Sequence, residues 1–485
     1  MKMSLPKEDQ YDVVVVGSGA AGFSAGLTAV QGGSKTMVLE KGRATGGSSN
    51  YTEGLFAVNS SLQKAKGIKV SGTEVLKEEV EYSQYKADAR IWRNYVDGSA
   101  ENVDWLQEQG VEFERVQAMG AGEATWHIYK GMGDAVIHQA LQPRFEAVGG
   151  EVVTSAAAVN LVRQADQTFV VTVRDEANQD VKAVHARAVI LATGGYLNNP
   201  EMMAEETNYD LSRLETVSSG KGTGDGLRMA WQVGARKYGT GMAMLFGGYL
   251  SDPETPSFKF MSSQMNVAAG QQPLLWVNEN GERFVNEEVV YNFSQAGNAL
   301  YTQAEVYSIL DQGVIDKMIT EGNFMGLGVY VLRGQKMDTL QEEIDAAVAA
   351  DKTFIFKADS IEELAKKMGL AQLPATISRY NRDAAQGEDR EFGKPVEYMQ
   401  PVTQGPFYGF KLNIGAFCTM GGLQVTPQNE VRDEQGQVIP GLYAVGNDAA
   451  GLTGDTYGPN MPGTCVGYAI YSGRNAGQQV TEYLR

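Results

Sequence analysis

The sequence predicts an α/β fold, in which a parallel sheet flanked by helices is interrupted by an inserted α+β domain. Residues 11–16 form an apolar, β-branched run, which is typical of a strand buried on both faces. A glycine-rich turn and a helical pattern follow at once, and a second apolar run at residues 36–39 ends in Glu40. Parallel-strand character is lost past about residue 240 and returns after about residue 400, which indicates the insertion.

The turn after the first strand reads Gly17-Ser18-Gly19-Ala20-Ala21-Gly22. At this spacing the first glycine permits a tight turn, the second lets the backbone approach a pyrophosphate, and the third lets the helix close on the strand. The pyrophosphate would lie on the helix N-terminus, and Glu40 would reach a ribose hydroxyl from the end of the second strand. Because strand, turn, helix, strand and acid fall in this order, the segment predicts a Rossmann-type dinucleotide site.

Charge and hydropathy narrow the possible partners. The 485 residues carry 59 acidic and 41 basic side chains, for a net charge of -18, so nucleic acid and anionic membrane surfaces are disfavoured as partners. A chain of this length suggests two or three lobes. The N-terminus is polar, and no apolar run is long enough to span a membrane. We therefore expect a soluble, cytoplasmic protein without a membrane span.

The two cysteines, Cys418 and Cys465, are too far apart in sequence for a CxxC pair, and they do not form an iron–sulfur ligand set. No metal site is predicted. Redox chemistry in this chain would therefore depend on a bound organic cofactor.

A loop of small residues, 42–50, follows Glu40 and leads into residues 51–56. Small residues would allow a planar ring to lie on the backbone, although a flexible loop has the same composition. With this loop the chain resembles the flavoprotein family of fumarate reductase, succinate dehydrogenase flavoprotein and ketosteroid dehydrogenases. In that family the loop flanks the flavin ring, so the resemblance implies FAD. The loop lacks the histidine at which succinate dehydrogenases attach FAD covalently, so we expect noncovalent binding.

The resemblance extends over nearly the whole chain and implies a set of FAD-binding residues. Residues 189–195 resemble the second dinucleotide-contact segment of the family, and residues 222–226 open the helix that follows it. The terminal helix would present its N-terminal N–H groups to the flavin pyrimidine, where they stabilise negative charge. Beyond the glycine-rich turn and Glu40, the implied FAD-binding residues are Lys41, Gly46, Gly47, Ser48, Ser49, Glu53, Gly54, Ala158, Thr193, Gly194, Gly195, Asp225, Gly446, Asn447, Gly463 and Thr464.

Two boundaries are expected to divide the chain. Residues 1–240 and 401–485 would form the two parts of the FAD-binding domain, and residues 241–400 would form a cap domain that holds the substrate. Within the first part, residues 151–184 are interpreted as a small antiparallel meander. His127 is one of only three histidines, and we interpret it as structural because a lone histidine is more often a satisfied structural group.

The segment 281–287, Gly-Glu-Arg-Phe-Val-Asn-Glu, resembles the motif that precedes the arginine proton donor of fumarate reductases. At the donor position this chain has Tyr291. The family histidine is replaced by Cys418, and the arginine that clamps carboxylates falls near Met461. The charged groups that would hold a dicarboxylate are therefore missing, which disfavours fumarate as a substrate.

The site tyrosines resemble the ketosteroid dehydrogenase branch instead. That branch has a tyrosine soon after the same motif and a Thr-Tyr-x-Gly-x-Gly tail, which here begins at Thr456-Tyr457 and reaches Gly463 at a longer spacing. The resemblance implies that Tyr291 exchanges a proton beside a carbonyl, to which Tyr457 and the Gly463 N–H donate hydrogen bonds. Tyr129 is the candidate hydrogen-bonding neighbour of Tyr291. Buried aromatic packing is the alternative interpretation of Tyr291 and Tyr457.

Three functions remain open from the sequence. The first is an FAD-dependent oxidoreductase that forms or reduces a C=C bond alpha,beta to the carbonyl of a cyclic ketone or enone, such as a ketosteroid. The second is a fumarate-reductase-like reductase of an unsaturated carboxylate, and the third is an electron-carrying flavoprotein subunit of a complex. The expected partners are a small-molecule substrate and a separate electron donor or acceptor.

Overall fold

The computed structural model describes residues 5–119, 122–261 and 263–485. The strands are, in chain order, β1 (Gln10–Val16), β2 (Thr36–Glu40), β3 (Gly54–Phe56), β4 (Phe113–Gln117), β5 (Trp126–Tyr129), β6 (Glu151–Thr154), β7 (Ala156–Arg163), β8 (Phe169–Asp175), β9 (Val181–Leu191), β10 (Leu214–Thr216), β11 (Lys237–Tyr238), β12 (Ala243–Tyr249), β13 (Leu275–Asn278), β14 (Val306–Asp311), β15 (Ile355–Ala358), β16 (Phe407–Thr419), β17 (Gly422–Leu423), β18 (Glu430–Arg432) and β19 (Val438–Ala444).

The α-helices are, in chain order, α1 (Ala20–Gln31), α2 (Ser61–Ala65), α3 (Gly72–Tyr82), α4 (Ala89–Glu108), α5 (Met132–Ala135), α6 (Gln142–Ala147), α7 (Pro200–Glu206), α8 (Asp225–Gln232), α9 (Ser257–Met261), α10 (Gln264–Gly270), α11 (Phe293–Tyr301), α12 (Gln312–Thr320), α13 (Leu340–Ala349), α14 (Ile361–Met368), α15 (Leu373–Gln386) and α16 (Thr464–Tyr483). A π-helical turn, Val136–Leu141, joins α5 to α6. Within the part of the chain that the structure describes, no helix is both long enough and apolar enough to cross a membrane.

The first of two compact units contains the residues up to Tyr209 together with Ser218–Met244 and Cys418–Arg485. Its main sheet has the strand order β18-β19-β9-β1-β2-β6, and β1 pairs in parallel with both β2 and β9. The pairs β19–β9 and β2–β6 are also parallel. Strand β1 lies inside this sheet because its apolar, β-branched residues are buried on both faces. The α/β prediction is therefore confirmed.

The antiparallel meander differs from its predicted form. Strand β6 pairs in parallel with β2 and so belongs to the main sheet, whereas β7, β8 and β9 pair antiparallel in sequence order. Residues 181–191 form one strand, because the alternating first half of β9 pairs with β8 while its fully buried second half continues into the main sheet. One strand thus serves both the meander and the parallel core.

Small residues let the helices α1 and α16 approach each other closely. A Cβ atom on Gly473 would overlap the carbonyl oxygen of Ala21, and one on Gly477 would lie 2.7 Å from the carbonyl oxygen of Ala25. The two pairs are spaced four residues apart on both helices, so the same faces meet over a full turn. The last helix of the chain is thereby packed directly on the first helix, next to the glycine-rich turn.

The second unit contains Asp210–Val217 and Leu245–Phe417. Its sheet has the order β10-β16-β14-β13, with β12 and β15 also paired to β16. Strand β16 is antiparallel to both β14 and β15 along residues 407–412. These pairings hold residues 401–417 in the second unit, so the boundary expected at residue 400 lies further along, after Phe417.

Candidate functional site

Two positions of the turn between β1 and α1 must be glycine, because a side chain at either one would overlap the backbone of the protein. Gly17 has a φ of +110°, and a Cβ atom there would overlap the carbonyl oxygen of Ala192. A Cβ atom on Gly22 would overlap the carbonyl oxygen of Gly17. These positions therefore explain how the helix starts so close to the strand, as the sequence motif predicts.

Gly19 is different, because no atom of the described residues would overlap a Cβ atom there. Its φ is -73°, and a Cβ atom would lie 3.3 Å from Ser49 Oγ and 3.7 Å from the Gly46 carbonyl oxygen. The first turn of α1 has no acidic residue and no side-chain cap from Gly19, and Ser49 Oγ accepts a hydrogen bond of 3.0 Å from the Ala20 N–H. An open, positively polarised helix end of this kind fits a pyrophosphate.

Glu40 is buried at the end of β2 and is tied to the same turn. Its carboxylate accepts hydrogen bonds from Ser18 Oγ at 2.5 Å and from the Gly42 N–H at 2.7 Å. Lys221 Nζ lies 3.3 Å from Oε1, so the carboxylate also has a cationic neighbour. These contacts fix the carboxylate beside the helix end, where a ribose hydroxyl would require an acceptor.

Other predicted FAD-binding residues are held by contacts within the first unit. Lys41 Nζ lies 2.6 Å from Asp225 Oδ2, and Ser48 Oγ donates to Ser219 Oγ at 3.1 Å. The Glu53 carbonyl accepts a hydrogen bond of 2.9 Å from the Tyr129 N–H. The others lie on the loop at residues 46–49, at the start of β3, in β7, in the loop after β9, and from the end of β19 to the start of α16: Gly46, Gly47, Gly54, Ala158, Thr193, Gly194, Gly195, Gly446, Asn447, Gly463 and Thr464.

Asp448 organises the loop after β9, and the sequence analysis did not single it out. Its fully buried carboxylate accepts hydrogen bonds from the Thr193 N–H at 2.6 Å, from Thr193 Oγ1 at 2.8 Å and from the Gly195 N–H at 2.9 Å. Burial raises the pKa of the Asp448 carboxyl, although these hydrogen bonds oppose the rise. The sequence feature that could have identified Asp448 is its position as an acidic residue directly after Gly446-Asn447.

The N-terminus of α16 packs against β3. Gly463 has a φ of +79°, and a Cβ atom there would lie 2.8 Å from the Gly54 carbonyl oxygen. The Gly463 carbonyl accepts a hydrogen bond of 3.1 Å from the Phe56 N–H, and the Thr464 carbonyl accepts one of 3.1 Å from Tyr95 Oη. The first turn of α16 has neither an acid nor a side-chain cap. Its N–H groups can therefore stabilise an electron-rich group, as the family resemblance implies.

Tyr129 ends β5 in the first unit, and its predicted role as a neighbour of Tyr291 stays a prediction. Its hydroxyl is buried and makes no hydrogen bond to any residue that the structure describes. The ring packs on Phe113, with centroids 5.6 Å apart, and the residue lines a small cavity with Ala20, Ser49 and Val466. Burial raises the pKa of the Tyr129 hydroxyl. An unpaired polar atom beside the first residues of both α1 and α16 fits a bound ligand at this place.

Tyr457 lies in the loop before α16 and is 5% exposed. Burial raises its pKa, and hydrogen bonding with Thr464 opposes the rise. The hydroxyl is therefore protonated at neutral pH and lies close to the start of α16. Its position is consistent with donation to a substrate oxygen, and it leaves the predicted role of Gly463 open.

Glu79 is a second residue that the sequence analysis did not find. It lies on α3 and is 7% exposed, and a Cβ atom on Gly458 would lie 3.0 Å from its Oε2 atom. Burial, with the nearby charge of Glu78, raises the pKa of Glu79 to about 8. The available signal was an acid on the apolar face of a helix, since Val75, Glu79 and Val80 are the buried residues of α3.

His127 is a structural residue, as interpreted from the sequence. The ring is fully buried, with Nε2 at 2.6 Å from Ser60 Oγ and Nδ1 at 3.0 Å from the Thr125 carbonyl oxygen. Burial lowers the pKa of His127 to about 4, so the ring is neutral at pH 7.

In the second unit, Tyr291 ends the short 3-10 helix Glu287–Tyr291 and is partly buried. The preceding motif is fixed by Arg283, which forms paired hydrogen bonds of 2.8–3.0 Å with Glu287 and Asp389. Because its guanidinium is buried and fully engaged, Arg283 stabilises the second unit and is not available to bind a carboxylate substrate.

The comparisons with known proteins agree with this geometry. A family model described as FAD binding domain matches residues 12–459. The chain is 66% identical over 484 residues to "Vinyl phenol reductase" of Lactiplantibacillus plantarum, covering 99% of this chain and 98% of that protein. It is 28% identical over 497 residues to "Fumarate reductase (cytochrome)" of Shewanella frigidimarina, covering 98% of this chain and 78% of the relative.

Among solved structures, 3-ketosteroid delta1-dehydrogenase from Sterolibacterium denitrificans has the same fold. The TM-score is 0.80 at 20% identity, over 98% of this chain and 100% of that chain. The open end of α1, the fixed Glu40 carboxylate and the uncapped end of α16 have the chemistry that a pyrophosphate, a ribose and a flavin would require. The chain therefore belongs to the FAD-binding-domain flavoprotein family and is an FAD-dependent oxidoreductase.

Proposed function

We propose that this chain reduces the vinyl group of a vinyl phenol to an ethyl group. The observation that carries the proposal is the uncharged environment beside the N-terminus of α16. Cys418 and Met461 are buried, at or near the positions where the fumarate reductase resemblance implies a histidine and an arginine, and Tyr457 is buried as well. A neutral phenol is compatible with such a lining, whereas a dicarboxylate would lose its hydration without gaining cationic partners. The relative with 66% identity, named a vinyl phenol reductase, supports the same substrate class.

The reaction adds a proton to one vinyl carbon and a hydride to the other. Bound reduced FAD supplies the hydride equivalent. Protonation of the terminal carbon, together with release of the phenol proton to water, makes the ring resemble a quinone methide, in which the former phenol oxygen is a carbonyl. Hydride then adds to the carbon next to the ring, and the oxygen regains its proton. The chemistry is thus a conjugate reduction, closely related to the enone reduction that the sequence suggested.

The protein must hold the substrate oxygen and supply the proton to carbon. Tyr457 is our candidate for the first task, since its buried hydroxyl is protonated and lies near the polarised end of α16. Tyr291 stays the candidate for the second task, on the resemblance of its motif alone. The reductase of an unsaturated carboxylate is less favoured, because Arg283 is bound to two carboxylates of its own unit.

Anaerobic reoxidation of the reduced holoenzyme tests the proposal. We expect para-vinylphenol to reoxidise the flavin and to form para-ethylphenol, and we expect styrene, which lacks the hydroxyl, to react on the order of a hundredfold more slowly. Tyr457→Phe should slow para-vinylphenol by a similar factor, whereas Tyr238→Phe, an exposed tyrosine of the same unit, should have no effect. Faster reoxidation by fumarate or by a cyclic enone would overturn the proposal in favour of the other two substrate classes.

FAD is expected to be bound noncovalently, because the loop at residues 42–50 lacks a histidine. Complete acid denaturation should release the yellow colour into the supernatant, and colour in the pellet would contradict this. Gly19→Val should abolish FAD binding, since the branched side chain would occupy the space that the pyrophosphate needs beside the backbone. Thr28→Val, further along α1, is the matched control and should retain the cofactor.

A further inference from the structure

The helical segment that begins with α5 carries a row of four polar side chains. Asp134, His138, Gln142 and Glu146 are spaced four residues apart, and the π-helical turn Val136–Leu141 lies within this row. His138 Nδ1 lies 2.8 Å from Asp134 Oδ1. Gln142 Nε2 donates to Glu146 Oε1 at 3.0 Å. Because π-helical turns are rare and frequently occur at functional sites, what the row contacts is informative.

The middle of the row contacts the loop at residues 42–50, which the family resemblance implies flanks the flavin. Thr45 of this loop is 4% exposed. Its Oγ1 atom lies 3.1 Å from His138 Nε2 and 2.6 Å from Gln142 Oε1. The buried hydroxyl of Thr45 is therefore held by two side chains of the helical segment.

Thr45 is in turn joined to the residues that are expected to bind FAD. It directly precedes Gly46, whose N–H donates to the Ser18 carbonyl oxygen at 3.1 Å. Ser18 Oγ donates a hydrogen bond to the Glu40 carboxylate. A displacement of Thr45 would therefore disturb the backbone that supports the expected pyrophosphate and ribose contacts.

The hydrogen bonds determine how many protons the His138 ring carries. Gln142 Nε2 faces the Glu146 carboxylate, so its Oε1 atom faces Thr45 and accepts the single hydroxyl hydrogen there. The Thr45 oxygen can then only accept from His138, which requires a hydrogen on Nε2. The Asp134 carboxylate requires another hydrogen on Nδ1. Both ring nitrogens therefore donate, as they do in an imidazolium.

The charged groups around His138 favour this cation. Asp134 contacts the ring from α5, and Glu146 adds a second carboxylate on α6. Behind the loop, Lys221 Nζ lies 3.3 Å from Glu40 Oε1, so its positive charge is paired. The His138 side chain is 35% exposed, which lets the ring exchange protons directly with solvent.

We propose that His138, as an imidazolium, is a positioning residue that holds the loop at Thr45 and thereby slows the release of FAD. A neutral ring has only one N–H, so it cannot donate to both Asp134 and Thr45, and a charge-assisted hydrogen bond is lost. Histidine ordinarily changes its charge between pH 5 and 8, so the loop is held firmly at the acid end of this range and less firmly at the basic end. The inference is independent of the substrate. It rests on noncovalent FAD, which acid denaturation tests separately.

The first test follows FAD release from the holoenzyme between pH 5.5 and 8.5. We expect the rate constant of release, measured by ultrafiltration at fixed times after dilution, to rise about tenfold over this range in the wild type. In His138→Gln, whose amide can still donate but does not titrate, this rise should be absent. Glu79, with a pKa of about 8, titrates in both proteins, so the difference between the two profiles isolates His138.

Two further variants locate the effect. Thr45→Val removes the hydroxyl and keeps the shape of the side chain, so the charge of His138 should no longer influence FAD release. His185→Gln alters another exposed histidine of the same unit, on β9, and should keep the wild-type profile. Circular dichroism checks that each variant is folded.

The second test observes the ring itself. The chain has three histidines, so carbon-13 labelling of the imidazoles gives three sets of signals, and His138→Gln identifies the set that belongs to His138. We expect an imidazolium at pH 6. In Thr45→Val the midpoint of the His138 titration should move to lower pH, because the acceptor for the Nε2 hydrogen is lost.

Each outcome supports or overturns the inference. Equal pH profiles of FAD release in the wild type and His138→Gln would overturn it, and so would a wild-type profile that persists in Thr45→Val. A neutral ring at pH 6 would overturn it even if a variant failed to retain FAD. Flavin that acid cannot release would contradict noncovalent binding instead, and the His138 titration in the wild type and Thr45→Val would then decide whether the ring holds the loop.

Discussion

Buried acidic residues occur in two different electrostatic environments in this protein. In the second unit, Glu287 and Asp389 are fully buried but are matched by Arg283 and Lys394, which are equally buried. In the first unit, Glu79 is buried, and none of the residues that the structure describes places a cation against it. Burial alone would raise the pKa of Asp389, but the hydrogen bonds from Arg283 lower it to about 2.

The difference shows that burial does not by itself reveal what an acid does. A paired acid stays ionised and holds elements together, whereas an unpaired acid in a similar degree of burial keeps its proton near neutral pH. The first arrangement stabilises the fold, whereas the second leaves a group whose charge changes near pH 8. The motif that resembles the substrate-side segment of fumarate reductases is thus the structural cluster in this chain, because Arg283 within it is already neutralised.

Removing the cation of the paired cluster should have the largest effect. Arg283→Ala leaves Glu287 and Asp389 buried without their main partner, so we expect a loss of about 3–5 kcal/mol in the free energy of unfolding. Chemical denaturation followed by circular dichroism measures it. Lys367→Ala breaks the exposed pair with Glu363 in the same unit and should cost at most about 1 kcal/mol. Equal losses in the two variants would contradict the distinction between the clusters.

Acid should weaken the paired cluster. Because the pKa of Asp389 is about 2 in the folded protein and ordinarily 3.8, its contribution is present above pH 4 and is lost as the pH falls through 2. The shift corresponds to about 2 kcal/mol. Asp389→Asn should remove this part of the acid dependence, and Asp345→Asn, an exposed residue of α13, should leave it intact. Unfolding curves collected between pH 5 and 2 give the free energy of unfolding of the three proteins. If Asp389→Asn lost stability in acid as steeply as the wild type, the pairing of Asp389 with Arg283 would be contradicted.

A substitution at Gly458, which covers the unpaired carboxyl group of Glu79, should have the smallest effect. In Gly458→Ala the new methyl group would lie 3.0 and 3.2 Å from the carboxyl oxygens of Glu79, whose flexible end can shift by a few tenths of an ångström. We expect stability to change by less than about 1 kcal/mol, while the pKa of Glu79 changes from its value of about 8 because its surroundings change. The pH dependence of unfolding measures the change. The same substitution in the Glu79→Gln background should leave that dependence unaltered, and an equal shift there would assign the effect to another group.

The sequence allowed the cofactor side of the site to be predicted in detail. The strand, turn, helix and acid from residue 11 to residue 40 are specified by local chemistry: β-branched burial, two glycines with no room for a side chain, and one carboxylate. FAD is confirmed by the family match. These features depend on neighbours in the chain, so one sequence is enough to recognise them.

The remaining site residues depend on contacts between distant segments. Asp448 and Glu79 are distinguished only by what surrounds them, since their partners or neighbours lie at Thr193 and Gly458. The domain limit at residue 400 was misplaced for a similar reason, because strand β16 is assigned by its pairing with β14 and β15. The roles of Tyr291, Tyr457 and Gly463 stay predictions.

The sheet order of the first unit has a consequence for the newly made chain. Strand β9 pairs in parallel with β19, whose residues are translated only after the whole of Leu245–Phe417. Until then, the Val189–Leu191 edge of β9 lacks its neighbour, and α1 lacks α16. An apolar strand edge of this kind readily pairs with other chains. Premature termination anywhere before residue 438 would therefore leave an aggregation-prone product in place of a smaller flavoprotein.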